Sequence, residues 1–235
     1  MGKVITYHFA VAATAKDPES KSFQIRLELD DVTSLLINGI DNKATEPDWC
    51  LLDFKKCQHC PLSSAQHKYC PVAKNLAHYL KYFNNELSHR PTTITVETKE
   101  RSYVKTATMQ DGAFGVFGLV MATSGCPHLE MYRPLARFHL PFASSTETMV
   151  RNLSFYLLQQ YFKKQSGEIV EMDFSKLSTS LDSVNLVNKG MIDRIRSVAS
   201  KGDTDKNAIV ILDSFVSILS MELSDNFAEL KSLVI

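Results

Sequence analysis

The chain has 235 residues, of which 26 are Lys or Arg and 26 are Asp or Glu, so its formal net charge is zero. That length is enough for one large domain or two small ones with a buried core. A charged fraction of 22% is too ordinary for a disordered chain. The balanced charge argues against a protein that binds nucleic acid or a membrane surface through a basic patch.

The sequence shows no segment that predicts a membrane location. The longest apolar run, residues 113–122, is ten residues long and too short to span a bilayer. The N-terminal residues read directly as a strand and lack the apolar stretch of a signal peptide. We therefore expect a cytoplasmic protein with neither a membrane nor a nucleic-acid partner, whose five cysteines are more suited to ligand, redox or core roles than to disulfides.

Strand patterns dominate the first part of the chain. Residues 4–11 are rich in β-branched and aromatic side chains, and residues 23–30 alternate apolar with polar positions. A polar turn separates these two segments, which predicts an antiparallel hairpin. Residues 48–54 suggest a third strand, and residues 93–108 predict a second hairpin.

Helical patterns lie between and after the strands. Pro71 suits the first position of a helix over residues 71–87. Residues 113–123 are almost entirely apolar, and periodicity does not decide between a buried helix and a buried strand. The Ser-Ser-Thr-Glu sequence that begins at Ser144 is a capping-box pattern, and it predicts a helix that reaches about residue 164.

Two further helices are predicted over residues 174–199 and 205–220. The fold class is therefore α+β. N-terminal antiparallel β hairpins with one helix occupy residues 1–110, and a C-terminal helical subregion occupies residues 111–235. We expect these two parts to form one structural unit that is joined at a cysteine metal site.

The strongest chemical signal is a set of four cysteines, namely Cys57, Cys60, Cys70 and Cys126. The first two have the C-x-x-C spacing that places two sulfurs on one metal through a tight turn, as tetrahedral Zn²⁺ favours. Cys70 follows ten residues later, and Cys126 can complete the set from a distance. Cys50 follows the only Trp and is assigned to the core. The pattern predicts a structural zinc that links the two subregions.

Other interpretations of the same cysteines stay open. Cys60, Cys70 and Cys126 each precede a proline, which is familiar at iron–sulfur clusters, although the spacing matches no common ferredoxin. Metal-free thiols are a third option, and a nucleophilic pair of Cys126 with His128 is a fourth. Residues 55–90 hold six basic and one acidic side chain, which would stabilise an anionic centre or simply form a solvated helix face.

A second candidate site follows the last cysteine. Arg133, Arg137 and His139 precede the capped helix, whose positive N-terminal end would help them to hold a small anion. Protonation of His139 below its usual pKa of about 6.5 would then strengthen binding. The alternative is that both arginines pair with carboxylates or carbonyl oxygens, and that His139 is a buried histidine with its hydrogen bonds satisfied.

Several motifs of the chain resemble an uncharacterised bacterial family that is classed as a domain of unknown function. They are Cys-x-x-Cys-Pro-Leu, Cys-Pro-Val-Ala, Met-Ala-Thr-Ser-Gly-Cys-Pro-His, Arg-Pro-Leu-Ala-Arg-Phe-His-Leu-Pro-Phe-Ala-Ser and Tyr-Leu-Leu-Gln-Gln-Tyr-Phe. Leu135 stands where the family pattern has Met. The resemblance covers nearly the whole chain. It implies a small bacterial protein of one unit, built around these cysteines, and it implies no activity.

The predicted helix over residues 174–199 carries an apolar seam. Its members recur at alternating spacings of four and three residues: Leu177, Leu181, Val184, Asn188, Met191, Ile195 and Val198. An Asn in such a seam often fixes the register of a coiled coil. The seam predicts either a helical hairpin with the following helix or, as the second option, a homodimer through this helix.

Two functions follow from the sequence. The first is a cytosolic zinc protein that acts in an interaction or binds a ligand. The second is a redox enzyme or sensor that uses an iron–sulfur cluster or an open metal site and acts on a small anionic ligand. The sequence leaves open whether the protein is an enzyme.

Overall fold

The structure is a computed structural model that describes most of the chain. The described residues are 2–15, 18–38, 46–170, 172–197, 202–224 and 230–232.

A four-stranded antiparallel sheet is formed by the first half of the chain. The strands are β1 (Lys3–Val11), β2 (Lys21–Leu29), β3 (Pro91–Glu97) and β4 (Ser102–Thr108), and their order in the sheet is β2-β1-β3-β4. β1 pairs with both β2 and β3, so the two hairpins meet at β1. Both predicted hairpins are therefore confirmed.

One face of the sheet is buried. Alternate residues of β1 and β2 point into the core because side chains alternate across a strand. They are Ile5, Tyr7, Phe9, Val11, Ile25, Leu27 and Leu29. This period-two pattern is the signal from which the strands were predicted.

The helices follow in chain order. They are α1 (Pro71–Leu80), α2 (Met109–Ala122), α3 (Arg133–Arg137), α4 (Ser145–Gln165), α5 (Ser175–Arg196) and α6 (Thr204–Ser224), with 3₁₀ segments at Asp48–Cys50 and Pro127–Tyr132. The α+β class and the largely helical second half are thus confirmed. The fold does not show the predicted cysteine metal site between the two parts, and that site stays a prediction.

α1 begins where the sequence predicts but ends earlier than predicted. α1 begins at Pro71 but stops at Leu80, because the following amides bond to carbonyls three residues back, as in Phe83 to Leu80 at 2.9 Å. α2 settles the ambiguity of the apolar segment in favour of a helix. Its start is capped by Asp111, which accepts hydrogen bonds from the Thr108 amide and hydroxyl at 3.0 and 2.6 Å.

The predicted strand over residues 48–54 is wrong. The segment forms a 3₁₀ turn, and its only β pairing among the described residues is an isolated bridge between Leu51 and Tyr69. The carbonyl oxygens of Trp49 and Leu51 accept hydrogen bonds from Arg194 of α5. A side chain therefore takes the place of a neighbouring strand.

The helix α2 packs directly on the sheet. A Cβ atom at Gly112 would lie 2.3 Å from a ring carbon of Phe9 and 2.9 Å from Cδ1 of Ile94. Glycine is needed here for close approach, whatever its lower helix propensity. The apolar residues of the sheet, α2 and the later helices form a single core cluster.

The seam of α5 is buried within the chain. Leu177, Leu181, Val184, Met191 and Ile195 are all core residues, and the preceding segment Pro127–Tyr132 and α6 pack against this helix. Val198 lies outside the described residues. The helical hairpin is the arrangement found, and the homodimer stays a prediction.

The start of α6 is fixed to the turn that follows α1. The Gly202 amide donates to the Asn84 carbonyl at 2.8 Å, and the Thr204 hydroxyl donates to the Glu86 carbonyl at 2.8 Å. Asp203 accepts from the Ser88 amide at 2.7 Å. α6 is thereby joined to the first half of the chain.

Among the helices that the structure describes, no single one is long and apolar enough to cross a bilayer. α2 and the segment Pro127–Arg137 meet the criterion only when taken together, and they are bent by 118°.

Substitution of Gly112 tests the close packing of α2. Gly112→Ala should lower the free energy of unfolding by about 1–3 kcal/mol, as expected for overpacking, although alanine favours a helix by about 1 kcal/mol. Urea denaturation measures the change. Gln110→Ala, in the same helix, is the control and should be close to neutral; an equally stable Gly112→Ala protein would contradict the packing described.

Candidate functional site

The four predicted metal ligands come from three separate parts of the chain and face a common region. We call Cys57, Cys60, Cys70 and Cys126 the cysteine cluster. The first two belong to one turn, in which the Cys60 amide donates to the Cys57 carbonyl at 3.0 Å. All four are free thiols, and Cys126 lies within electrostatic range of the other three.

Two cluster members sit immediately before helical turns. Cys70 precedes α1, and Cys126 precedes the 3₁₀ segment at Pro127. The proline at the first helical position has no N–H, and the next amides are directed to sulfur instead. Backbone N–H groups of Val72 and Ala73 favour the Cys70 thiolate. This arrangement gives the Cys-Pro pairs a physical role, because amide donors at a helix start stabilise negative charge on sulfur.

The cluster is pressed against α5. A Cβ atom at Gly190 would lie 2.8 Å from the Cys57 sulfur. The His59 ring donates from Nε2 to the Ser183 carbonyl of the same helix at 3.1 Å, and His128 donates from Nε2 to the His59 carbonyl at 3.1 Å. The two imidazole rings are tilted by 32° to each other, with centroids 4.0 Å apart. The cysteine-bearing loop and the Cys126 turn therefore meet at this helix.

A buried guanidinium lies beside the cluster. Arg194 is 1% exposed and donates to the carbonyl oxygens of Trp49, Leu51 and Leu52 at 2.5, 2.9 and 3.0 Å. No ion pair to Arg194 is found within the described ranges of the chain. Its positive charge favours the thiolates of Cys57 and Cys70. A buried cation without an anionic partner is costly, so this position suits an anionic neighbour.

Burial raises the pKa of three cluster thiols, those of Cys57, Cys70 and Cys126. It raises the pKa of Cys57 to about 11 and that of Cys126 to about 12, and the neighbouring cysteines add to the shift. Both groups are then protonated at neutral pH. A low thiolate fraction disfavours the pairing of Cys126 with His128 as a nucleophile.

The side chains as they stand are not closed around a metal. Across the described residues, no three His, Cys, Asp or Glu side chains converge at metal-binding geometry. The Cys50 thiol has a partner outside the cluster: it is fully buried and donates its S–H to the Ala73 carbonyl at 3.5 Å. Its assignment to the core is confirmed.

The predicted anion-binding residues each have a protein partner. Arg133 pairs with Glu130 at 3.0 Å, and Arg137 lies 3.8 Å from the Asp31 carboxylate. His139 turns towards the sheet, where its Nε2 lies 2.5 Å from the Tyr7 hydroxyl. The three side chains therefore have separate contacts, as in the alternative of salt-bridged arginines and a satisfied histidine.

The capped helix begins as predicted. Ser144 accepts from the Glu147 amide at 3.1 Å, and Glu147 accepts from the Ser144 amide at 2.8 Å. This reciprocal capping box occupies two of the amides that an anion at the helix start would use.

His139 is uncharged at neutral pH. Burial lowers its pKa to about 3, and the positive charges of Arg151 and Lys3 contribute to the shift. This low pKa disagrees with the expectation that the ring gains a proton between pH 8 and 6. The anion site formed by Arg133, Arg137 and His139 stays a prediction.

A cavity of about 330 Å³ lies among α2, α3, α4 and α5. Tyr7 and His139 line it, together with Arg151 and Asn188. Sequence reasoning missed this cavity, and it missed Arg194. Arg194 follows Met191 by three residues and directly precedes Ile195, so its place beside the apolar seam was the one available signal.

The fold and the cysteine cluster define an α+β protein with a four-stranded antiparallel sheet and a helical half. A family model described as "Domain of unknown function (DUF6901)" matches residues 5–234. The chain belongs to this family. The predicted resemblance to an uncharacterised domain family is thus confirmed, whereas its particular motifs and its bacterial origin stay predictions. No curated protein and no solved structure matches the chain.

Replacing Arg194 tests the buried hydrogen bonds. Arg194→Leu leaves the carbonyl oxygens of Trp49 and Leu52 without a donor, whereas that of Leu51 keeps the Phe54 amide at 3.2 Å. Each orphaned carbonyl costs about 1–3 kcal/mol, so we expect a loss of roughly 3 kcal/mol in unfolding free energy. The matched control is Arg196→Leu, an exposed arginine two residues further along α5. Similar unfolding midpoints for the two variants would rule out this role for Arg194.

The low pKa of His139 predicts a pH dependence of stability. The unfolded chain binds this proton near pH 6.5, but the folded protein binds it only near pH 3. The folded state therefore loses stability as the pH falls through this window, by up to about 1.4 kcal/mol per pH unit.

Denaturation at pH 7, 6 and 5 measures this dependence. His139→Gln keeps an acceptor for Tyr7 and removes the titrating group, so its stability should vary less with pH. His67→Gln, at an exposed position, should keep the dependence of the parent protein. Equal slopes for all three proteins would show that His139 titrates normally.

Proposed function

We propose that the protein binds one structural zinc ion through Cys57, Cys60, Cys70 and Cys126, and that it acts in the cytoplasm as a ligand-binding or interaction protein. The observation that carries this proposal is the position of Arg194. A buried cation without an ion-pair partner in the described structure lies beside the thiols of Cys57 and Cys70, whose pKa values burial raises. Zinc held by four thiolates is an anionic centre, and it would supply the missing negative charge.

The chemistry of the donor set supports zinc. Four thiolates form a closed structural site, with Zn–S bonds of about 2.3 Å and no position left for substrate. The Cys57–Cys60 turn would supply two of these ligands. Cys70 and Cys126, each next to amide donors, would supply the others. Side-chain movement is needed to bring the sulfurs to bonding distance, and metal binding would release the thiol protons.

A bound zinc would act as a cross-link. The cysteine-bearing loop over residues 51–70, which leads directly into α1, is distant in sequence from the turn at Cys126, and both lie against α5. Metal binding to the folded state alone adds its binding free energy to the stability of the fold. The five free thiols fit a reducing compartment such as the cytoplasm.

The alternative is a redox enzyme or sensor built on the same cysteines. The Cys-Pro pairs and the amide donors beside Cys70 and Cys126 favour an iron–sulfur cluster as the second choice, since hydrogen bonds to sulfur tune such centres. An open metal site that acts on a small anionic ligand is the other form of this alternative. A cluster absorbs visible light and zinc does not.

Metal content tests the proposal. The full chain, purified anaerobically without chelators, should contain one zinc per monomer by elemental analysis and show no visible absorbance. Cys57→Ser should lose the metal and unfold at a lower temperature, because structural zinc contributes on the order of 10 kcal/mol in finger peptides.

Cys50→Ala is the matched control, since Cys50 is buried close to the cluster but donates to a carbonyl. It should keep a full equivalent of zinc even where its stability falls. Iron and sulfide in place of zinc would establish the alternative. Substoichiometric metal in the parent protein, or equal metal loss in both variants, would remove the proposal.

A further inference from the structure

The cavity among α2, α3, α4 and α5 has mainly apolar walls. Its size of about 330 Å³ lies at the small end of the range of roughly 300–1,000 Å³ that is typical of ligand pockets. The apolar lining includes Phe114, Leu119, Leu129, Leu135, Leu181 and Val184. Such walls suit the hydrocarbon part of a small molecule.

One buried polar side chain in this lining lacks a partner. Asn188 of α5 is 1% exposed, and its Nδ2 has no hydrogen-bond acceptor among the described residues. A buried donor without an acceptor is unfavourable and uncommon in folded proteins. The Nδ2 group of Asn188 can therefore donate a hydrogen bond to an oxygen atom of a ligand in the cavity.

A positive charge lies in the same lining. Arg151 of α4 uses Nη2 to donate to the carbonyls of Leu135 and Phe138, at 2.9 and 2.6 Å. No hydrogen bond from its Nε or Nη1, and no ion pair, is found in the described part of the chain. The Glu147 carboxylate lies within electrostatic range of this guanidinium but is bonded to Ser144. Arg151 thus keeps free N–H donors, and Arg is well suited to bind a carboxylate.

The acidic residue of the lining is already engaged. Asp111 accepts two hydrogen bonds from Thr108 in the capping box of α2. Lys105, at an exposed position of the lining, adds a second positive charge. The polar part of the cavity is therefore rich in donors and positive in charge, while the rest is apolar.

We propose that this cavity binds a small amphipathic carboxylate, of the class of medium-chain fatty acids. Its carboxylate contacts Arg151 and an oxygen accepts from Asn188, while its hydrocarbon chain fills the space beside Phe114 and Leu181. The inference rests on the ligand-binding part of the proposed function and names the ligand class. None of the four cluster cysteines lines the cavity, so its test is separate from that of the metal.

Calorimetric titration of the full chain with octanoate tests the proposal. Octanoate should bind at least tenfold more tightly than 1-octanol, which lacks the charge, and than acetate, which lacks the chain. From butanoate to octanoate the affinity should rise about fourfold per methylene, which corresponds to about 0.8 kcal/mol for each buried CH₂. Equal binding of octanoate and 1-octanol, or no binding of octanoate at millimolar concentration, would overturn the proposal.

Variants locate the binding site. Arg151→Gln should weaken octanoate binding at least tenfold and leave 1-octanol binding unchanged, whereas Lys163→Gln removes a charge from an exposed position of the same helix and should have no effect. Ala143→Leu, which fills the cavity, should weaken both ligands. If Arg151→Gln does not fold, the proposal is tested by Ala143→Leu and by the ligand series on the parent protein. Unchanged octanoate affinity in Ala143→Leu would overturn the proposal.

Zinc is measured in every sample of this series. Protein that holds zinc and does not bind octanoate would refute the carboxylate inference alone. Octanoate binding by protein that holds no metal would refute the zinc proposal alone.

Discussion

The buried guanidinium of Arg194 holds the cysteine-bearing loop to the helical half of the chain. Its three carbonyl acceptors lie in the segment that leads into the loop, more than 140 residues earlier in the sequence. Two further hydrogen bonds join the loop to α5: Lys55 donates to the Asp193 carbonyl at 2.6 Å, and His59 donates to the Ser183 carbonyl. The loop has little regular structure of its own, so α5 acts as its template.

This dependence explains why the cysteines gather where they do. Cys57 and Cys60 follow the residues that Arg194 holds, and Gly190 leaves room on α5 for the Cys57 sulfur. The position of Cys70 is set by the start of α1, which Pro71 fixes. The position of each thiol is therefore set by a backbone contact near it. The metal that we propose would then strengthen an arrangement that already exists in outline.

Local signals were sufficient for much of the fold. The period-two alternation of β1 and β2, the proline at the start of α1 and the capping box at Ser144 each depend on neighbouring residues, and each predicted its element. The segment over residues 48–54 misled because an apolar run such as Trp-Cys-Leu-Leu is typical of a strand. Three of its carbonyl oxygens bond to a side chain from α5, which no local pattern reveals.

The candidate sites also differ in whether local sequence signals or contacts between distant residues determine them. The metal-ligand set was predicted from residue type and spacing, and the structure brings its members into one region. For His139 the sequence left two options open, an anion-binding residue and a buried histidine with its hydrogen bonds satisfied, because its partner Tyr7 lies 132 residues away. The cavity left no sequence signal, since its lining comes from several helices and two strands of the sheet.

The attachment of α6 to the turn after α1 affects the order of folding. The contacts of Gly202, Asp203 and Thr204 with residues 84–88 join segments separated by more than 110 positions. On the ribosome, the sheet and α2 are synthesised well before α6 can cover them. The apolar surface of α2 is then exposed to solvent or to a chaperone until the last fifth of the chain emerges, and that interval is when the nascent protein is most prone to aggregate.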